Sequence, residues 1–395
     1  MDLSNNISAE NLFISSAQQQ PQLENLANRA LSNGIDLYMK EDYKGAIKEF
    51  QRSIGLSPQS DYSVDASNYT ANSYLQLDEP EKAIGAYKTS ISLNPYRDDT
   101  HITLGNLYFA EKRFSEAESE YKKAIKLNPS ANNYYALGQS FLESGKYSDA
   151  ENTFDRVRRL DPDKPNGNFG LGLVYSRGGQ YEDAINQFKE AISQQTDFYH
   201  AYAELGYAYA DSGLMDEARE QRDFLEEKEP GLAYTLTQYI NKVERPKFIA
   251  ATSTDFTYVS SAKTPISSLD AYLLNANASK TFTMKFFFQK EMDRASVEDR
   301  FNWEIARASG SGPGEAYNFN MPIPSSEAEL SLYPEHVLYN SESKTATIKF
   351  TIQQNAASDG TIDPSHIEFK FSGTDLEGLE MDPDYDQFSG FSRIA

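Results

Sequence analysis

The sequence predicts two architectures in one chain. An all-α solenoid of about six helix-turn-helix repeats with a capping helix spans residues 25–245, and an all-β sandwich spans 247–395, after a flexible polar arm at 1–24. Three observations predict this. Small and bulky residues recur every 33 to 37 positions through the first half. That period gives way to apolar/polar alternation from about residue 247. Turn-forming Gly, Pro, Ser and Asn cluster between the alternating runs.

The arm, "MDLSNNISAENLFISSAQQQPQ", is rich in Ser, Asn and Gln. It lacks the basic start and apolar stretch of a secretory signal, and is expected to be mobile. No run of about 18 apolar residues occurs anywhere, so no membrane insertion is expected. These features predict a cytoplasmic protein, or one exported to the cell surface by a route that needs no such signal.

The solenoid rests on four ladders in register. Gly34, Ala71, Gly105, Gly138, Gly172 and Gly206 form the first, and Ala46, Ala83, Ala117, Ala150, Ala184 and Ala218 the second. Phe50, Tyr87, Tyr121, Phe154 and Phe188 form the third, broken by Arg222. Pro58, Pro95, Pro129, Pro162 and Pro230 form the fourth, with Thr196 in the remaining place. Each unit reads as two antiparallel helices. The small residues let the helices approach, the bulky residue fills the space beside them, and proline ends the second helix. Turns such as "ESGKY", "SRGGQY" and "DSGLM" put Gly where a left-handed residue closes the first helix. One pair cannot bury its apolar face alone; six stacked pairs can.

This pattern resembles the tetratricopeptide repeat family over about residues 27–230, and "HITLGNLYFAEKRFSEAESEYKKAIKLNP" carries nearly every family position. The stretch "GLAYTLTQYINKVE" reads as the capping helix. The resemblance implies an inner surface built from first helices, with the residues one after and three before the Gly/Ala ladder facing inward. Those places hold an amide row, Asn72, Asn106 and Gln139 with Asn68 beside it, and an aromatic row, Tyr135, Phe169 and Tyr207. Amides both donate and accept, which suits an extended backbone, and aromatics offer rigid contact area. No Lys or Arg stands at these positions, so a clamp for a C-terminal carboxylate is not expected.

From residue 247 the alternating runs are "TFTMKFFF" (Phe282, Met284, Phe286, Phe288), "KTATIKFTIQ" (Ala346, Ile348, Phe350, Ile352) and "HIEFKF" (Ile367, Phe369, Phe371). Short strands at this spacing predict a sandwich. The stretch "MKFFFQKEMDRASVEDRFNWEI" resembles the immunoglobulin-like modules of bacterial surface-layer proteins, over about residues 250–385. With no cysteine, no disulfide core is expected, and Trp303 reads as a core residue.

Little points to catalysis, and the chain reads as a non-enzyme without a cofactor. The absence of cysteine removes thiolate chemistry and Cys-ligated metals. The four histidines, His101, His200, His336 and His366, are isolated in sequence. The Gly-Lys pair in "YYALGQSFLESGKYSDA" lacks the spacing of a phosphate loop, and "FGLG" opens no strand-to-helix turn, so both belong to the repeat. No metal site is assigned; "EMDPDYDQ", with Asp382, Asp384 and Asp386 at alternate positions, is a weak calcium candidate and reads first as a solvated acidic loop.

A net charge of −22, from 37 basic and 59 acidic residues, argues against nucleic acid. The expected role is a scaffold or adaptor that binds a protein or peptide in the inner groove, with self-association open. The alternatives are a structural subunit of an exported bacterial surface or flagellum-like assembly, and an accessory subunit of an enzyme complex.

Overall fold

Most helical runs end where the backbone loses a donor or must turn left-handed, and the result is a regular alternation of helices. A computed structural model of the chain describes residues 9–310 and 315–391, with the backbone alone for 9–19. The helices are α1 (Ala9–Met39), α2 (Tyr43–Leu56), α3 (Asp61–Gln76), α4 (Pro80–Leu93), α5 (Asp98–Ala110), α6 (Phe114–Leu127) and α7 (Ala131–Glu143). They continue as α8 (Tyr147–Leu160), α9 (Asn166–Arg177), α10 (Tyr181–Gln194), α11 (Tyr199–Asp211), α12 (Met215–Lys228) and α13 (Pro230–Val243). Two compact units result, divided between Tyr234 and Thr235.

The arm differs from expectation. Residues 9–24 have helical backbone continuous with α1, and residues 1–8 lie outside the described residues. Ala, Gln, Glu and Leu, which dominate this stretch, are good helix formers despite their polarity. Pro21 lies within the helix. The division between the units also falls inside α13, not after residue 245. Pro230 is the first residue of α13, a place where its missing N–H costs nothing.

The helical unit is held by the ladders. Ala46, Ala83, Ala117, Ala150, Ala184 and Ala218 are all fully buried, as are the rings of Phe50, Tyr87, Tyr121, Phe154 and Phe188. Phe50, Tyr121, Phe154 and Phe188 each lie on the first-helix glycine of their own unit, and the second unit has Ala71 in that place. A Cβ on Gly105 would stand 2.5 Å from Tyr121, and one on Gly138 would stand 2.7 Å from Phe154. Burying each such ring contributes about 1.5–3 kcal/mol. The turn closing each first helix holds one left-handed residue: Glu41, Asp78 and Lys112 in the first three units, then Gly145, Gly179 and Gly213. First helices also approach one another, α1 with α3, α5 with α7, α7 with α9 and α9 with α11, forming a common layer.

The second unit is β-rich. Its strands are β1 (Phe248–Thr252), β2 (Thr264–Pro265), β3 (Ser279–Phe288), β4 (Trp303–Arg307), β5 (Glu329–Leu330), β6 (His336–Asn340), β7 (Thr345–Gln353), β8 (Thr361–Ile362), β9 (Ile367–Phe371) and β10 (Gln387–Phe388). One antiparallel sheet runs β1-β3-β7, with β5 and β6 both on the far side of β7. A second runs β10-β9-β4, and β2 pairs with β8. The register places Phe282 opposite Phe350 and Met284 opposite Ile348. Phe369 of the second sheet meets Phe286 at 5.5 Å and Phe350 at 5.3 Å, so the sheets share one core. Trp303 is buried there, and its Nε1 donates to the Val297 carbonyl at 2.9 Å.

The motif "MDRASV" has a structural account. Met292 and Val297 are buried, and Asp293 caps the short helix α14 (Arg294–Glu298) by accepting from Ala295 and Ser296. Ser296 Oγ accepts from the Thr374 backbone N–H at 2.8 Å.

Candidate functional site

The amide and aromatic rows lie on α3, α5, α7, α9 and α11, the first-helix layer. Asn72 follows the small ladder residue Ala71, and Asn106 follows Gly105. In both units the ring that packs against the ladder is a tyrosine, and its hydroxyl reaches the amide. Tyr87 donates to Asn72 Oδ1 at 2.6 Å, and Tyr121 donates to Asn106 Oδ1 at 2.8 Å. Burial pushes the Tyr87 phenol up to about 12, and raises that of Tyr121 still further. Both stay neutral and keep donating across the physiological range.

The row is therefore not a line of free amides. The oxygens of Asn72 and Asn106 are engaged within their own units. Their Nδ2 groups have no acceptor among the described residues. Asn106 is exposed and Asn72 half-buried. Asn68, half-buried on α3, carries a buried Oδ1 with no hydrogen-bond partner among the described residues. Burial holds the Tyr135 phenol above its ordinary value, and Gln139 close by partly offsets this.

The aromatic row is half-buried rather than fully presented. Tyr135 meets Phe154 edge-on at 5.5 Å, and Phe169 lies 5.9 Å from Phe188 and 4.7 Å from Phe198. Tyr207 is half-buried on α11. Tyr135 and Phe169 thus lean on rings of the repeat core while staying partly exposed.

Sequence reasoning missed two features of this layer. One is the role of Tyr87 and Tyr121, read only as packing. Its signal was in the chain: the ladder ring is Tyr where Asn follows the small residue, and Phe where Gln139 or Leu173 stands there. The other is Glu204 on α11. Burial raises its carboxyl above the ordinary value, Arg177 and His200 partly offset this, and no hydrogen bond or salt bridge engages it among the described residues.

A cleft of about 420 Å³ in this unit is elsewhere. It lies between α2 and α4 over α3, lined by Gln51, Ile54, Tyr74 and Lys82 among others, and none of the expected site residues line it.

The acidic string in the β-rich unit is not gathered into a metal site. Asp382 lies 3.6 Å from Lys247 and Asp386 lies 3.4 Å from Lys370, so ammonium groups draw the two toward different partners. Asp384 donates its backbone N–H to Asp382 Oδ1, a local turn. Among the described residues no three His, Asp or Glu side chains converge to hold a metal ion.

Comparison with known proteins bears on the helical unit. A family model described as tetratricopeptide repeat matches residues 70–132, 102–165, 135–178 and 169–222. Among curated proteins, the DnaJ homolog subfamily C member 3 of Gallus gallus is 22% identical over 38% of this chain and 32% of its own length. The STIP1 homolog of Dictyostelium discoideum is 31% identical over 29% of this chain and 18% of its own. The chain thus spans about a third, or less, of the length of these relatives. A tetratricopeptide repeat protein from Parabacteroides merdae has a solved structure covering 55% of this chain and 86% of its own, with TM-score 0.49 and 16% identity. The structure of MamA covers 43% of this chain and 94% of its own, with TM-score 0.37 and 28% identity. The ladders, the ring-on-glycine packing and the family match together show tetratricopeptide repeats over residues 70–222 of this helical solenoid.

Proposed function

We propose that the chain is a non-enzymatic interaction scaffold whose first-helix layer holds an extended segment of a protein partner. One observation carries this reading. Tyr87 and Tyr121 fix Asn72 and Asn106 by their oxygens, which leaves two oriented Nδ2 donors one repeat apart. An extended chain offers carbonyl acceptors along its length, and pre-oriented donors hold it at little entropic cost.

The test must not orphan the tyrosines. Asn72→Ala with Tyr87→Phe, and Asn106→Ala with Tyr121→Phe, remove each donor and its internal partner together. Adding Gln139→Ala completes the set. Loss of partner capture with unchanged helical circular dichroism is the expected result. Undiminished capture by this variant would sink the proposal.

The β-rich unit favours a second reading, a structural subunit of an exported surface assembly. One sheet runs β1-β3-β7 with β5 and β6 beyond β7, and the other runs β10-β9-β4. Two antiparallel sheets sharing one core support a sandwich of immunoglobulin-like kind. Concentration-dependent polymerisation of the purified chain would favour this role over the adaptor.

A further inference from the structure

We infer that the segment held by the first-helix layer is cationic: an extended stretch of a partner protein bearing Lys and Arg side chains. The inference rests on the reading of this layer as the binding face and adds the chemistry of its occupant.

Charge is divided between the two helix layers. The first helices α3, α5, α7, α9 and α11 carry seven Asp and Glu and one cation, Arg177, and the first helix α1 adds three acids and Arg29. The second helices α2, α4, α6, α8, α10 and α12 carry fifteen Lys and Arg against seventeen Asp and Glu, so it is the cations that separate the layers. Composition alone would not separate them so, because both layers belong to the same repeats.

The outer layer neutralises much of its own charge. Lys123 lies 2.8 Å from Glu120, and Arg158 lies 2.5 Å from Asp155. Cations in the turns are drawn outward too: Arg113 to Glu81 at 2.8 Å, and Lys146 to Glu118 at 2.6 Å. On the first-helix side, Arg97 answers Asp65 and Asp99. Arg177 stands only loosely beside Glu143, at 3.9 Å. Glu204 has no salt bridge among the described residues, and burial raises its carboxyl. Arg177 and His200 lie near enough to offset that burial only in part, and a partly desolvated carboxylate still short of full compensation gains more from an arriving cation than a solvated one. Glu143 follows Gln139 by one turn on α7, and Glu204 precedes Tyr207 by three residues on α11, so both acids accompany the expected contact residues. Aromatic faces such as Tyr135 and Tyr207 add attraction for Lys and Arg.

The whole chain is acidic, so the experiment separates the layer from the overall field. Labelled peptides of one length and background, bearing Lys/Arg, Gln or Glu at the same positions, are titrated with the full chain by fluorescence anisotropy. The Lys/Arg peptide is expected to bind about tenfold more tightly than the Gln peptide, with the Glu peptide weakest. Glu143→Gln with Glu204→Gln should remove most of that preference. Glu226→Gln with Glu227→Gln, exposed acids of α12, should leave it intact. Equal loss in both pairs would mean overall attraction only, and would overturn the inference. Equal binding of Lys/Arg and Gln peptides would overturn it while leaving the binding face in place. Failure of all peptides would remove the binding face and the inference together. Sedimentation showing that a second copy of the chain fills the face and competes with the peptide would also overturn it.

Discussion

The phenol of Tyr121 donates a 2.8 Å hydrogen bond to Oδ1 of Asn106, and Tyr87 repeats the bond to Asn72 one unit earlier. The ring is core, the amide is surface, and the bond joins them. Asn106→Ala should cost about 1–3 kcal/mol, because a buried hydroxyl loses its acceptor. Asn106→Ala combined with Tyr121→Phe should recover most of that loss. Urea unfolding of the two single variants and the double would measure the coupling. Additive costs would mean the bond contributes nothing.

Gly170 and Gly172 in "FGLG" pack on two different rings. A Cβ at Gly170 would clash with Phe154 of the preceding unit, and one at Gly172 would stand 2.5 Å from Phe188 of its own. Alanine is the better helix former by about 1 kcal/mol, but crowding a packed ring costs about 1–3 kcal/mol. Gly170→Ala should therefore lower the thermal midpoint. Gly85→Ala in α4, where the added methyl meets nothing within 4 Å, should raise it.

Lys290 anchors the end of α13. Its ammonium donates to the carbonyls of Asn241 at 2.7 Å and Glu244 at 2.8 Å, and lies 2.5 Å from the fully buried Asp375. Lys290→Met should destabilise the β-rich unit by about 3–5 kcal/mol, since it strands a buried carboxylate. Lys290→Met with Asp375→Asn should regain part of this. The single tryptophan, Trp303, lies in that core, so its fluorescence during denaturation reports the effect.

Asp386 gives a pH dependence of definite sign. Burial raises its carboxyl above the ordinary value, and Lys370 offsets this only in part. The folded chain therefore holds this proton to higher pH than the unfolded chain does. The ionised form penalises folding above the raised value, and the penalty is relieved as pH falls from there toward the ordinary range near about 3.9. Asp386→Asn should be the more stable protein at neutral pH, with its advantage shrinking on acidification. Chemical denaturation followed at Trp303 across that range would check it. A constant difference would show that Asp386 does not titrate in this way.

The sequence by itself determined the repeat, the change of period near residue 247 and the faces that form both cores. Gly105, Ala117 and Tyr121 could be placed because helix packing tolerates few residue types at those points. Phe282, Met284, Phe286 and Phe288 could be placed because a strand has only two faces. The Asn row was legible as a row, since period alone brings Asn72 and Asn106 to equivalent places. Only the tertiary structure decided what their atoms do. Tyr121 lies fifteen residues from Asn106, on the other helix of the pair, and its hydroxyl takes the oxygen that the amide would otherwise offer outward. Asp382 and Asp386 likewise share a string in sequence but answer Lys247 and Lys370 in space. Spacing fixes which side of an element a residue occupies. The partner of a polar atom is set by the nearest complementary group in three dimensions, because an unpaired polar atom is costly wherever water is excluded.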